Sequence, residues 1–344
     1  MKKIYLAPLE GVTDNIYRKT FLEYYGGVDK YFTPFLSPNA NLKFTTREFD
    51  EIDPKKNPVD ITVPQLLTNN AKHFLWAAGE IIQMGYKEIN FNLGCPSGTV
   101  VAKKKGSGLL FYPELLDELL YEVFEKLPGV CDGKGAKTPS ISVKTRLGRY
   151  EPEEFYEILE IFKKYPISEL TIHPRIQSDF YKEPIREDFF EYAYKHCDIP
   201  LVFNGEIKRC EDISRTLLTY GKMDAVMIGR ALITKPSLAV EYKSYASLSV
   251  ENPSAKDLTL KEKVSSDFTT DFDYEKFSDF RNDLLARYEE RFSGEKPVLH
   301  RMKEFWAFWQ YLYPNEEKNI KKIQKVKNLS DYKAYSSLLY KRHY

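Results

Sequence analysis

The stretch E-I-N-F-N-L-G-C-P, residues 88–96, largely decides how this chain is interpreted. Apolar residues at 89, 91 and 93 alternate with Asn90 and Asn92, which predicts a strand with one apolar face and one face that needs hydrogen bonds. A glycine and a proline then end the strand on either side of Cys95. If this strand belongs to an α/β barrel, Cys95 lies at the face where such barrels hold their catalytic residues. A small buried cysteine beside a turn is the structural alternative.

Residues 3–240 repeat a pattern of one strand followed by one helix. Strands are predicted at residues 4–8, 31–35, 62–67, 88–94, 140–147, 169–174, 201–206 and 225–230. Helical patterns between them include residues 14–25, 70–84, 113–127, 152–164 and 211–220. Eight strands alternating with helices favour the α/β class, and within it a closed (β/α)8 TIM barrel over an open doubly wound sheet. We expect this barrel to be the catalytic domain, at residues 1–245.

The composition changes after residue 245. Residues 246–276 are rich in Ser, Asp, Lys and Thr, which predicts a linker or an insertion. Helical patterns follow at residues 277–292, 297–313, 316–327 and 330–340, so we expect a small all-α domain at 277–344. Residues 281–344 hold 14 Lys or Arg against 8 Asp or Glu, although the whole chain has a net charge of only +1. Cations alternate with aromatic rings between His300 and Tyr313, a pattern typical of nucleic-acid-binding surfaces, whereas a merely solvated charged face is the alternative.

Bulk composition excludes several classes of protein. With 42% hydrophobic and 29% charged residues in 344, the chain is typical of soluble globular proteins. It contains neither a long apolar run nor a signal-peptide pattern, so we expect a cytoplasmic protein without a membrane partner. The four cysteines lack C-x-x-C spacing, which argues against both a metal site and a disulfide framework. We expect a monomer.

Polar or glycine residues follow most of the predicted strands, and a barrel would bring these strand ends together. Lys144 lies in an otherwise apolar strand, where an ammonium needs a partner such as an electron-rich cofactor ring. Gln65 can donate and accept at once, which suits the pyrimidine edge of a flavin. Gly205, Gly229 and Arg230 follow the last two strands, where barrels bind phosphate. Dinucleotide and P-loop motifs are missing from the sequence, so a mononucleotide is the better candidate.

A set of motifs resembles the tRNA-dihydrouridine synthase family. In chain order they are L-A-P-L-E-G-V-T-D, P-Q-L, I-N-F-N-L-G-C-P, K-K-G-S-G-L-L, V-K-T-R-L-G, T-I-H-P-R, F-N-G-E-I and M-I-G-R-A. The resemblance covers residues 3–235 well and continues more loosely in P-V-L-H-R-M-K-E-F-W. Departures from the family pattern include Leu9 in place of Met, Pro174 in place of Gly and Glu206 in place of Asp.

The resemblance implies an FMN-binding TIM barrel followed by a helical RNA-binding domain. It also implies NADPH-dependent reduction of the C5=C6 bond of uridine in tRNA, with hydride from flavin N5 to C6 and a proton from Cys95 to C5. The cofactor-binding residues that follow from it are Pro8, Gln65, Lys144, His173, Asn204, Gly205, Glu206, Gly229 and Arg230. The substrate-binding residues expected are Asn90, Arg175 and, in the basic tail, Arg301.

Three alternatives remain open at this stage. The same chemistry could act on ribosomal RNA, or an FMN barrel could reduce a free pyrimidine without any use for the basic tail. An RNA-binding scaffold without turnover is the third, although scaffold duty requires neither Cys95 nor Lys144. His173 by itself is equally compatible with a satisfied histidine of the core.

Overall fold

The computed structural model describes residues 2–251 and 272–342. Within them the strands form one parallel sheet in the order β3-β2-β1-β9-β8-β7-β6-β5-β4. The strands are β1 (Lys3–Leu6), β2 (Lys30–Phe32), β3 (Thr62–Val63), β4 (Gln65–Leu66), β5 (Glu88–Leu93), β6 (Ser140–Arg146), β7 (Glu169–His173), β8 (Leu201–Phe203) and β9 (Ala225–Ile228). The terminal strands β3 and β4 are consecutive in the chain, so the sheet curls into a barrel, and the predicted TIM-barrel fold is confirmed.

The third predicted strand, at residues 62–67, is two strands separated by Pro64. The first half pairs with β2 and the second half with β5. Proline has no N–H for a strand ladder, so the pairing changes partner at this residue. Its carbonyl still accepts a hydrogen bond of 2.8 Å from the backbone N–H of Asn90. The described residues therefore contain nine strands where eight were expected.

The interior of the barrel has an apolar side and a polar side. Seven buried hydrophobic residues from β1, β2, β3, β8, β9 and the residue after β1 form the apolar cluster: Tyr5, Ala7, Phe32, Val63, Val202, Ala225 and Met227. The neighbouring strands β4 to β7 instead carry polar residues at every second position. In register, Asn90 is opposite Ser142, Asn92 is opposite Lys144, and Arg146 is opposite His173. Polar chemistry is thus confined to one side of the barrel.

Helices surround the sheet, and several of them begin at capping residues. They are α1 (Asn15–Tyr24), α2 (Thr46–Ile52), α3 (Ala71–Gln83), α4 (Gly98–Val101), α5 (Pro113–Asp132), α6 (Glu154–Phe162), α7 (Glu187–His196), α8 (Cys210–Thr219), α9 (Arg230–Thr234) and α10 (Leu238–Glu251). The carboxylate of Asp14 accepts from the N–H of Tyr17 at 2.9 Å, so Asp14 is the N-cap of α1. Helix α2 begins with a capping box between Thr45 and Glu48.

Among the described residues, four further helices follow the barrel: α11 (Tyr274–Arg291), α12 (Glu295–Trp309), α13 (Glu317–Lys325) and α14 (Leu329–Arg342). Helices α11 and α12 both pack against α1, where the ring of Tyr17 meets that of Phe280 from α11 at 6.0 Å and stacks on that of Phe305 from α12 at 5.2 Å. The expected linker at 246–276 holds the end of α10 and the start of α11, while residues 252–271 lie outside the described residues.

The aromatic residues of the tail do not form the exposed surface that their alternation with cations suggested. Phe305, Trp306 and Trp309 have no exposed area, and Tyr313 is 2% exposed. They pack against one another and against α1 and α11, which accounts for their helical spacing. Across residues 2–251 and 272–342, none of the helices combines the length and apolar character needed for a membrane span.

Candidate active site at the barrel mouth

Cys95 lies two residues beyond β5, on a loop held at both of its backbone groups. Its N–H donates to Asn92 Oδ1 at 2.9 Å, and its carbonyl accepts from the N–H and hydroxyl of Ser107 at 3.2 and 2.8 Å. The side chain is half-buried. Burial raises the pKa of the thiol above its ordinary value, an effect that outweighs the opposing hydrogen bond from the backbone of Ser97. Cys95 is therefore a protonated thiol at neutral pH.

A chain of hydrogen bonds runs from the start of β5 to this loop. The hydroxyl of Ser142 donates to Glu88 at 2.7 Å and accepts from Asn90 Nδ2 at 2.9 Å. Asn90 Oδ1 accepts from Gln65 Nε2 at 2.7 Å, and Gln65 Oε1 accepts from Asn92 Nδ2 at 2.7 Å. Asn92 Oδ1 then receives the backbone N–H of Cys95. Every member of the chain donates in the same direction.

The two asparagines of the β5 motif have different roles in this chain of hydrogen bonds. Asn90 has no exposed area and both ends of its amide are engaged inside the barrel. Asn92 contacts the Cys95 loop directly. Sequence reasoning selected Asn90 for the substrate and missed Asn92, although both follow the same alternation. The contacts favour a supporting role for Asn90, and its predicted contact with a substrate base stays a prediction.

Lys144 is the half-buried cation of β6, and no described carboxylate lies within ion-pair distance of it. Burial, with a further contribution from the nearby Arg146 guanidinium, lowers the pKa of its ammonium to about 7. A buried cation is stable only with an anionic or electron-rich partner. The predicted contact of Lys144 with an electron-rich cofactor ring stays a prediction.

Arg146 is 1% exposed and connects the Cys95 loop to the loop after β7. Its guanidinium donates to the carbonyls of Gly94 at 3.0 Å, Ile176 at 2.8 Å and Phe180 at 2.7 Å. Sequence reasoning did not assign this residue to the site. Its position in the alternating row of β6, two residues after Lys144, was the available signal.

His173 and Arg175 form a buried pair at the end of β7. Arg175 Nη1 lies 2.9 Å from His173 Nε2. A guanidinium can only donate, so Nε2 accepts and the imidazole proton is on Nδ1. Burial, followed by the charges of Arg146, Lys144, Arg175 and Arg230, lowers the pKa of His173 well below its ordinary value, so the ring is neutral. Arg175 also contacts Glu206 and the Glu183 carbonyl, and these internal contacts occupy the group that was predicted to bind substrate.

The ends of β8 and β9 complete the mouth. The amide of Asn204 donates to the Met227 carbonyl at 2.8 Å, which ties the two strand ends together. Gly205 and Gly229 are half-buried, Arg230 is exposed, and the Arg230 guanidinium lies 5.2 Å from the centre of the Tyr181 ring. Hydrogen bonds from Arg175 and Lys208 lower the pKa of Glu206.

The last two predicted residues are Pro8, which follows β1, and Arg301, which lies at the junction with the C-terminal helices. Pro8 is half-buried just after β1. Arg301, from α12, has a side chain only 15% exposed, 2.9 Å from Glu304 and 3.8 Å from Asp14. These ion pairs favour a structural role at the junction between α12 and the barrel, and the predicted contact of Arg301 with RNA stays a prediction.

The charged side chains at the mouth are mostly cations. Four cations, Lys144, Arg146, Arg175 and Arg230, act on the neutral His173. One of these cations, Arg175, pairs with the carboxylate of Glu206. The remaining positive charge suits an anionic group such as a phosphate, because charged donors form the stronger hydrogen bonds to anions.

Comparison with known proteins identifies the family of this chain. The family model described as dihydrouridine synthase (Dus) matches residues 5–327. A tRNA-dihydrouridine(16) synthase from Vibrio cholerae is 29% identical over 324 residues, covering 91% of this chain and 88% of the relative. A tRNA-dihydrouridine synthase B from Pasteurella multocida is 28% identical over 237 residues, covering 69% of this chain and 67% of the relative. Among solved structures, the old yellow enzyme from Trypanosoma cruzi aligns with a TM-score of 0.48 and 10% identity, over 70% of this chain and 88% of that chain.

Proposed function

This chain belongs to the dihydrouridine synthase family, and on that premise we propose that it reduces the C5=C6 bond of specific uridines in tRNA, with FMN as cofactor and NADPH as reductant. The observation that carries the proposal is the position of Cys95. A protonated thiol lies at the carboxyl end of β5, beside an ammonium, Lys144, that has no described carboxylate as partner. Reduction of a carbon–carbon double bond needs one proton donor next to the place where the hydride arrives, and a thiol of raised pKa supplies it.

Cys95 holds its proton on Sγ and delivers it to C5 of the uracil ring. Asn92 and Ser107 keep the Cys95 loop in place through the backbone, and burial keeps the proton on the thiol against the opposing hydrogen bond from the backbone of Ser97. Arg146 adds a third restraint through the carbonyl of Gly94. Proton transfer from a positioned acid is worth about 10²- to 10⁴-fold in rate.

Cofactor binding is proposed for the polar side of the barrel. Lys144 and His173 would contact the flavin ring with Gln65 below them, and Arg230, together with the backbone of Gly205 and Gly229, would hold the phosphate. A reduced flavin bound there would supply the hydride for C6. Glu206 stays ionised because it is paired with Arg175, so it orients that guanidinium and leaves the exposed Arg230 for the phosphate.

RNA docking is proposed for helix α13 and the two residues after its end, because the aromatic residues of the tail are buried. Residues 317–327 carry five exposed lysines against one glutamate: Lys318, Lys321, Lys322, Lys325 and Lys327. Ile320 and Ile323 are buried against the other helices, so the lysines face away from the core. A one-sided row of ammonium groups suits the phosphates of a folded RNA.

The test compares Cys95→Ala with Cys197→Ala, which removes a half-buried thiol at the end of α7. We expect Cys95→Ala to keep the yellow cofactor and NADPH oxidation but to form dihydrouridine in an unmodified tRNA transcript at least 100-fold more slowly. Cys197→Ala should behave like the parent protein. Full activity of Cys95→Ala, or a purified parent protein without flavin absorbance, would overturn the proposal. Activity on uracil alone but not on RNA would favour a free-pyrimidine reductase.

A further inference from the structure

An exposed cluster of aromatic rings and cations borders the mouth on the side of β5 and β6. Phe111 is 45% exposed and Tyr150 is 49% exposed, and their rings meet edge to face at 5.1 Å. The Arg149 guanidinium lies 4.7 Å from the Tyr150 ring centre and 5.5 Å from that of Phe111. Lys104 covers the neighbouring Tyr112 at 4.2 Å. We call these residues, together with the exposed Lys103, the aromatic rim.

The aromatic rim is connected directly to the Cys95 loop. Residues 103–112 follow β5, and the same segment contributes Ser107, which binds the Cys95 carbonyl. Residues 149 and 150 follow β6, where the Arg149 carbonyl accepts from the N–H of Ser178 at 3.4 Å. The adjacent Gln177 reaches Pro96 at 3.3 Å through its side chain. Both halves of the rim thus belong to loops at the carboxyl face of the barrel.

The cations of the aromatic rim are not neutralised within the protein. Lys103, Lys104 and Arg149 form no salt bridge with any carboxylate in the part of the chain that the structure describes. The nearby Glu154 carboxylate is occupied by the backbone N–H groups of residues 149, 150 and 151, at 2.7, 2.9 and 3.0 Å. Arg149 Nε is buried and has no hydrogen-bond partner. Positive charge and aromatic faces are therefore both available to a ligand.

We propose that the aromatic rim binds RNA beside the target uridine, with one unstacked base against Phe111, Arg149 and Tyr150 and adjacent phosphates against Lys103 and Lys104. The proposal rests on the proposed function. A uridine that reaches a thiol at the barrel mouth must leave its stack, and its neighbours then lose a stacking partner. Exposed rings replace that partner and guanidinium groups stack on bases, while ammonium groups pair with phosphates. Charge complementarity favours RNA over a protein segment, since the rings alternate with unpaired cations.

The experiment measures the affinity of the full-length, flavin-loaded protein for an unmodified tRNA transcript by fluorescence anisotropy at several salt concentrations. The variants are Phe111→Ala/Tyr150→Ala, Phe111→Leu/Tyr150→Leu and Lys103→Gln/Lys104→Gln. Tyr121→Ala is the matched control, because Tyr121 is 60% exposed on the outer face of α5. Flavin absorbance and thermal unfolding report whether each barrel is intact.

We expect each double aromatic variant to bind the transcript at least about 10-fold more weakly with the same salt dependence, because stacking carries no counterion release. The lysine variant should lower the slope of log affinity against log salt by roughly 1.4, at about 0.7 for each phosphate contact. Tyr121→Ala should bind like the parent. Aromatic variants that are intact and bind like Tyr121→Ala would overturn the rim proposal while leaving the proposed function standing. A parent protein that neither binds nor reduces the transcript would instead refute the proposed function.

Discussion

Replacing Lys144 by methionine tests whether the barrel keeps an unpaired cation for its ligand. Burial lowers the pKa of Lys144 from 10.5 to about 7, so burying the charged form at pH 7 lowers the stability of the folded state. At about 1.4 kcal/mol for each pH unit, a fall of this size corresponds to at most about 5 kcal/mol. The side chain is half-buried and water reaches the mouth, so we expect roughly half of this, about 2 kcal/mol. Methionine fills similar space without the charge.

The sign of the effect depends on pH and on the ligand. The folded-state pKa is lower than the unfolded one, so the cost of burying Lys144 is largest below pH 7 and disappears as pH rises to about 10.5. We therefore expect flavin-free Lys144→Met to unfold about 4 °C above the flavin-free parent at pH 7, at roughly 2 °C for each kcal/mol. At pH 9 the difference should be less than half as large. The same substitution should weaken flavin binding by about 10-fold or more, because a charge-assisted contact is lost.

Differential scanning fluorimetry of the flavin-free proteins at pH 7 and 9 gives the stability, and flavin fluorescence quenching gives the affinity. Lys222→Met is the control, since Lys222 is exposed just before β9, at the opposite end of the barrel. An equal unfolding temperature for parent and Lys144→Met at pH 7 would show that the ammonium has a partner inside the protein. Unchanged flavin affinity would show that Lys144 does not contact the cofactor.

Three further predictions follow from particular contacts. Burial raises the Cys95 pKa, so the rate of dihydrouridine formation from reduced enzyme should be flat near neutral pH and should fall as the pH rises through the pKa of the thiol. A rate that increases in that range would exclude the thiol as the acid. Arg146→Met removes three hydrogen bonds to carbonyls, which should lower the free energy of unfolding by about 2–4 kcal/mol in urea titration and slow turnover, whereas an unaltered rate would show that the Cys95 loop holds itself. Tyr288→Phe removes the 2.8 Å bond from α11 to Asp14 and should cost about 1 kcal/mol of unfolding free energy without affecting flavin content, and a loss of flavin would mean that the junction shapes the mouth.

The barrel could be predicted from the sequence because its signals are local. The strands alternate or are wholly apolar, polar or glycine residues follow most of them, and several helices start at caps such as Asp14. The division of the third strand could not be predicted with equal ease. Pro64 lies inside an otherwise regular strand pattern, and only the partners on both sides show that one half pairs with β2 and the other with β5.

The site was harder to predict. Alternation along a strand shows which face a side chain is on, but it does not show how close to the barrel mouth that side chain lies. Asn90 and Asn92 have the same inward phase, yet only Asn92 reaches the Cys95 backbone. The predicted aromatic surface of the tail was wrong for a related reason. Aromatic residues spaced by three and four serve a helical core and a binding surface equally well, and the neighbouring cations concealed that Trp306 and Trp309 face inward.

The hydrogen-bond chain beneath Cys95 connects the strand sequence to the site. Its two ends determine the direction in which every amide between them donates. Glu88 can only accept, so Ser142 donates to it and Asn90 must turn its nitrogen toward Ser142. At the other end, a backbone N–H can only donate, so Asn92 must turn its oxygen toward Cys95. Gln65, in the middle, can satisfy both neighbours in one orientation alone. The residues at its two ends thus set the orientation of each amide, and the row connects the Cys95 loop, which Ser107 and Arg146 also restrain, to a carboxylate at the far end of β5.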